Sequence, residues 1–205
     1  MTELDAVNIL LSIIGEAPVD GLPDLSVNEI TDAALARRTL QEISRDVQAE
    51  GWSWNTDERV TLTGNAGTFT LPSNTLLAVF NPNVDYEGRY VVRGLRVYDK
   101  FEQTFDLGDV ELELMRHVVQ LDWEDIPHQA QTYISIRAGR IYADRFVNSN
   151  VIYTYTVQDE AYARAMLIRA EEAGMRNNML WSSMRETGRG DGFYAARGTR
   201  YRRYG

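Results

Sequence analysis

The chain has 205 residues, enough for one ordinary domain, or a domain with a sizeable insertion, built round a full core. At 44% apolar and 25% charged, with no cysteine, it has a globular composition that excludes disulfides, thiolate metal sites and cysteine nucleophiles. Twenty-one basic residues against 30 acidic ones leave a net charge of −9, and an acidic body repels the phosphates that a dedicated nucleic-acid binder must neutralise.

The segment Met1-Thr2-Glu3-Leu4-Asp5 has neither a basic region nor a long apolar core, so no signal peptide is expected. No apolar run reaches the roughly 18 residues of a membrane span. Leu4, Val7, Leu10, Leu11 and Ile14 recur at helical spacing. Thr2 and Asp5 resemble a capping box, Gly15 is a natural stop, and Pro18 bars continuation. A second helix is expected from the box Ser26-Val-Asn-Glu29 through Ile30, Ala33, Ala34, Arg37, Leu40, Ile43 and Val47, ending at Gly51. The Pro/Gly-containing loop of residues 16–25 makes the two helices antiparallel neighbours.

The period then changes. Val60–Thr63 and Thr68–Leu71 alternate around Gly64-Asn-Ala-Gly67, which predicts a hairpin. Leu76–Phe80 reads as another strand, Tyr90–Tyr98 as a second hairpin turning near Arg93-Gly94, and Val110–His117 as a strand returning to the sheet. Helical spacing resumes after Pro127 in a stripe from Ile126 through Ala130, Tyr133, Ile134, Ala138, Ile141 and Tyr142. Asp122, Glu124 and Asp125 lie at its positive end. Asn148-Ser-Asn150 breaks the stripe. Val151–Val157 alternates like a strand, while Tyr155, Tyr162, Met166, Ala170 and Ala173 keep helical spacing, and a fourth helix is expected from about residue 151. The expected class is α+β: a four-helix domain (residues 1–56 and 121–184), an inserted small antiparallel β domain (57–120) and a flexible basic C-terminal tail (185–205).

Little catalytic chemistry emerges. The two histidines, His117 and His128, lack metal-ligand spacing, so neither a metal nor a cofactor is expected. A Ser-His-Asp triad has no G-x-S-x-G elbow to support it. Paired carboxylates (Glu111 with Glu113, Asp57-Glu58, and Asp122, Glu124, Asp125) leave open a polysaccharide or peptidoglycan hydrolase, which needs two such groups across a cleft. The bland reading is a solvated acidic surface, and it is preferred. Gly188-Arg-Gly-Asp-Gly192 lacks the strand and the Lys-Ser/Thr of a phosphate loop.

From Arg185 onward six arginines and two acids give +4, so residues 1–184 carry −13 to make the total of −9. Phe193, Tyr194, Tyr201 and Tyr204 interleave with Arg197, Arg200, Arg202 and Arg203. Tyrosine and arginine anchor protein interfaces through packing area and forked hydrogen bonds. Partner docking is therefore the preferred reading over nucleic-acid stacking or an inert tail.

Several landmarks recur together: Gly15-Glu-Ala-Pro-Val19, the helix carrying Ala33, Ala36, Arg37, Arg38, Leu40 and Ile43, and its exit Gln48-Ala-Glu-Gly-Trp-Ser-Trp-Asn55. Val97-Tyr-Asp99, Asp122-Trp-Glu-Asp-Ile-Pro127, Ala143-Asp-Arg-Phe146 and Asp159-Glu-Ala161 complete the series. In order and spacing the chain resembles the tail tubular protein A family, head-to-tail adaptors of T7-like short-tailed bacteriophages. The resemblance spans most of residues 5–175 and does not include the tail.

The resemblance implies a structural virion protein, made in the host cytoplasm and placed at the head-to-tail junction. It implies a twelvefold homo-oligomeric ring joining the portal protein to the nozzle (tail tubular protein B), with a channel through which double-stranded DNA passes. Tail fibres are a further candidate partner; no membrane and no enzymatic activity are implied. A ring needs two different complementary faces on each subunit, for which Arg37 and Arg38 are candidates. Arg197, Arg200, Tyr201, Arg202, Arg203 and Tyr204 are the candidate portal contacts. Twelve copies at −9 each would carry about −108 charges, and an acidic lumen would let DNA slide without sticking.

Overall fold

The computed structural model describes residues 1–26, 31–83, 85, 88–146 and 157–187, with side chains outside the description at 146 and 175–187. Among the described residues four helices, α1 (Glu3–Ile13), α2 (Asp32–Ala49), α3 (His128–Phe146) and α4 (Val157–Thr187), precede and follow five strands along the chain. These are β1 (Thr56–Leu62), β2 (Thr75–Phe80), β3 (Tyr90–Arg93), β4 (Arg96–Asp99) and β5 (Leu112–Val119). The class is α+β, as expected. Residues 1–167 form one compact unit and residues 168–205 a second; within the described residues the second consists of the C-terminal part of α4.

α1 starts on a reciprocal capping box: Asp5 N donates to Thr2 Oγ1 at 3.1 Å, and Thr2 N donates to Asp5 Oδ2 at 2.9 Å. It stops in a Schellman arrangement, with Glu16 N bonded to Leu11 O and Gly15 N to Ser12 O. α2 departs from expectation. Its N-cap is Thr31, in extended conformation, whose hydroxyl accepts from Ala34 N at 3.1 Å. The Ser26 box reads into residues 27–30, which lie outside the described residues. Two cap-competent hydroxyls five positions apart satisfy the same local rule, and Thr31 is the one that caps α2. Pro127 sits one position before α3, its carbonyl accepting from Ala130 N and Gln131 N. The expected break at 148–150 and the ambiguous 151–156 lie outside the described residues. α4 continues to Thr187, taking in the first three residues of the expected tail.

The helices share one core. Leu10 and Leu11 of α1, Leu40, Ile43 and Val47 of α2, Tyr133, Ile134 and Tyr142 of α3, and Ala163 and Leu167 of α4 are buried together with Trp52 and Trp123. The fully buried Tyr142 donates its hydroxyl to Asp32 O at 3.0 Å, tying α3 to the first turn of α2. Burial pushes its pKa up to about 12, because phenolate would lose its hydration there. Ion pairs brace the rim: Arg145 holds Glu42 through two contacts at 2.8 and 2.9 Å, Arg140 meets Glu160 at 2.6 Å, and Arg164 meets Glu50 at 2.8 Å.

β5 is the centre of a three-stranded antiparallel sheet ordered β1-β5-β2, and β3 pairs with β4 in a separate hairpin. The expected hairpin between 60–63 and 68–71 does not form. β1 pairs instead with β5, Val60 opposite Leu114. The turn itself is real, with Ala66 and Gly67 both at positive φ and Asn65 bridged to Thr68. Beyond it the chain crosses to β4: Leu71 N donates to Leu95 O at 2.7 Å and Val97 N to Phe69 O at 3.0 Å. Burial decides the exchange, since this pairing carries Phe69 into a second cluster with Val97 and Leu112.

Helices and sheet meet at a polar knot. Gln48, fully buried, accepts from Leu121 N at 2.7 Å and donates to Leu121 O at 3.2 Å and to Ser44 Oγ at 3.1 Å. Asn55 donates to Gln48 O at 2.8 Å and Val119 O at 2.9 Å and accepts from Trp52 N at 2.9 Å. Gly51, at φ +75°, gives α2 its exit, and its carbonyl receives the Arg116 guanidinium at 2.5 Å. Asn55→Ala would remove the side-chain bonds to Gln48 O, Val119 O and Trp52 N, so urea unfolding should show a loss of roughly 2–4 kcal/mol. A change within about 0.5 kcal/mol would mean that the knot does not hold the two parts together.

Candidate assembly surfaces

The nominated interface arginines part company in the structure. Arg37 is engaged within its own chain, donating through Nε to Glu3 Oε1 at 2.9 Å, through Nη2 to Glu3 Oε2 at 3.3 Å and through Nη1 to Pro23 O at 2.7 Å. It closes the loop between α1 and α2. Arg38, one position on, is exposed, with a single 3.5 Å contact to Leu25 O. The six nominated tail residues, Arg197 to Tyr204, lie outside the described residues.

The carboxylates do not converge. Glu113 lies on β5 and accepts from Asn81 Nδ2 at 3.0 Å, whereas Glu111 precedes the strand and is exposed. Glu111 lines a groove of about 750 Å³ that Glu113 does not reach. Asp57 and Glu58 are exposed on β1, opposite His117 and Arg116. Asp122, Glu124 and Asp125 are exposed round a single 3-10 turn. His117 is buried and hydrogen-bonded to Thr75 Oγ1 at 2.9 Å, while His128 lies exposed at the start of α3. Among the described residues no group of three or more His, Cys, Asp or Glu side chains is placed to hold a metal ion.

What the described surface does present is contact area. On α4, Tyr162 and Met166 share one side of the helix and are 69% and 39% exposed, and Val157 is 70% exposed. The second exposed set belongs to the β3–β4 hairpin, which sequence reading passed over. Arg93 lies 3.6 Å over the Tyr98 ring and Arg96 lies 4.1 Å over the Phe105 ring. Tyr98 and Phe105 meet edge to face with centroids 4.9 Å apart. Leu95, at the turn, and Phe101 remain exposed. Four cations in the twelve residues 89–100 of an acidic chain were the available signal.

At the base of this hairpin the buried Asp99 carboxylate accepts from Arg89 Nε at 2.6 Å and from the backbone N–H groups of Phe101 and Glu102. The Arg89 guanidinium, and then those N–H groups, hold the Asp99 carboxyl below its ordinary value, because each favours the charged form against the opposing effect of burial.

An α+β subunit whose described surface offers contact area rather than an assembled carboxylate cleft has the form of an assembly component. The sequence pattern of the family described as "Tail tubular protein" matches residues 4–177. "Tail tubular protein A" of Klebsiella phage KP34 is 30% identical over 172 residues, covering 82% of this chain and 86% of that protein. The chain belongs to the tail tubular protein family and is a structural component of a phage tail.

The Asp99 pairing is testable through acid stability. Because the folded-state pKa is depressed, the contribution is complete above the ordinary value of 3.8 and vanishes as pH falls through the lowered folded value. Asp99→Asn should lower the melting temperature at pH 7, and the gap from wild type should close below about pH 3.8. An equal gap at pH 7 and pH 2.5 would show that the carboxylate charge is not what holds the hairpin base.

Proposed function

We propose that this chain is the head-to-tail adaptor of its virion: a ring, twelvefold by the family resemblance, that joins the portal to the nozzle and leaves a channel for DNA ejection. The observation that carries the assembly reading is the exposed apolar side of α4, with Tyr162 and Met166 open to solvent beside a core that already buries Ala163 and Leu167. Large apolar and aromatic side chains left uncovered on an otherwise ordinary core suit partner subunits. The family match along residues 4–177 supplies the kind of assembly.

In this reading residues 1–56 and 121–184 make the body of the ring, and residues 57–120 form a lobe where nozzle and tail fibres attach. Residues 185–205 reach the portal through Arg197, Arg200, Tyr201, Arg202, Arg203 and Tyr204. Of the two nominated arginines Arg38 is the outward one, available for subunit contact, since Arg37 is spent on Glu3 and Pro23. Twelve copies at −9 bring about −108 charges, and an acidic lumen repels the DNA that slides through it.

Native mass spectrometry of the chain mixed with its cognate portal ring tests the proposal. The expected result is saturation at one copy per portal subunit, and loss of the complex on deleting residues 185–205 with the fold intact by circular dichroism. Undiminished binding by the truncated chain would remove the tail from the portal contact. No complex with the intact chain at low salt would overturn the adaptor role.

A further inference from the structure

The helical rim and the small sheets treat their charges differently. Round the helices Glu42, Glu50 and Glu160 are each held by an arginine of the same chain. In the β region two oppositely charged sets have no ion partner among the described residues: Arg93 and Arg96 at the hairpin turn, and Asp109 and Glu111 before β5. Both arginines lie on aromatic rings, which fixes each guanidinium plane and leaves its N–H edge free for a carboxylate. Leu95 projects between them, 38% exposed.

Asp109 and Glu111 line the groove of about 750 Å³, whose wall includes Leu62, Phe69, Val110 and Gly108. Gly64 keeps the Phe69 ring in that wall, since a Cβ there would lie 2.7 Å from Phe69 Cζ. One feature is thus a leucine flanked by two unpaired cations. The other is a groove, apolar in part, flanked by two unpaired anions.

The strand register sets them at opposite ends of one ladder. Leu71 is bonded to Leu95 and Phe69 to Val97, antiparallel, and the Gly67 carbonyl then receives Leu107 N. The three steps from Leu71 back to Thr68 carry the chain about 10 Å from the hairpin turn towards the groove end at roughly 3.3 Å per residue. A subunit with complementary features at its two ends associates head to tail, and such contacts close into a ring when the rotation permits.

Resting on the adaptor reading above, we infer that the β3–β4 turn of one copy docks into the groove of the next, with Leu95 entering between Asp109 and Glu111 and Arg93 and Arg96 pairing with those carboxylates. The occupant is a second copy because this chain itself carries the matching acids at the matching end. A polyanionic nucleic acid would leave Leu95 without an apolar seat.

The absence of cysteine makes the contact directly readable. A chain carrying Leu95→Cys and Asp109→Cys cannot bridge within itself across that separation, because a disulfide needs Cα atoms within about 7 Å. Assembled on the portal ring and oxidised, it should give a ladder on a non-reducing gel running past dimer towards the closed ring, while either single-cysteine variant, with no thiol facing it across the contact, stays monomeric. A saturated portal complex that yields no ladder overturns this contact and leaves the adaptor role standing. Failure of the wild-type chain to bind the portal overturns the adaptor role and the contact with it.

Charge exchange supplies an independent readout. Arg93→Glu with Arg96→Glu should weaken self-association by about tenfold or more. Adding Asp109→Arg and Glu111→Arg to the same chain should restore it. A quadruple variant as weak as the double one overturns the pairing. So does a double variant that self-associates normally but loses binding to duplex DNA.

Discussion

Two buried amides at the end of α2 hold this molecule in its arrangement. Gln48 and Asn55 between them engage the backbone of Gln48, Trp52, Val119 and Leu121, so the helical core and the exit of the central strand share one hydrogen-bonded knot. A buried amide is costly unless every polar atom is matched, and part of the matching comes from groups 64 and 73 residues away. The constraint propagates outward. Fixing β5 at its exit fixes β1 and β2, which both pair with it, and Leu112 at its start anchors the second apolar cluster. The motif from Gln48 to Asn55, prominent in the family resemblance, is therefore structural: it sets the junction on which any assembly geometry depends.

The charges divide the molecule by task. Round the helices four arginines are engaged within the chain: Arg37 on Glu3, Arg140 on Glu160, Arg145 on Glu42 and Arg164 on Glu50. The exposed pairs, Arg145 with Glu42 and Arg164 with Glu50, contribute little individually, but together the four settle which of these cations are spent within the chain. The hairpin cations remain, held on aromatic rings rather than on acids. For a tail component that must meet copies of itself and other proteins, unsatisfied but preoriented charge is more useful than a deep cavity.

Much of the helical architecture was legible because its signals are local. The Thr2–Asp5 box, the Gly15 stop, the stripe of α2 and the opening of α3 after Pro127 all depend on residues within one or two turns. The turn at Ala66-Gly67 and the β3–β4 hairpin were legible for the same reason. The start of α2 was misplaced because Ser26 and Thr31 satisfy the same capping rule. The partner of Thr68–Leu71 was misjudged because alternation marks a strand without naming its neighbour, and burial of Phe69 chose β4. The surfaces followed the same division: Arg38 and Arg37 look equivalent in sequence, and only Glu3 and Pro23, 34 and 14 residues away, set them apart.

The sequence by itself determined the α+β class, the positions of the helices and turns, the acidic body with its basic end, and the family. Each of these is written in spacing, in side chains that cap and turn the backbone, or in motifs that survive in order. Tertiary structure alone decided which strands pair, which carboxylates stay apart and which charges are already neutralised. Those outcomes turn on contacts such as Glu42 with Arg145, 103 residues distant, and the energy of such a contact exists only once the core has brought its two ends together.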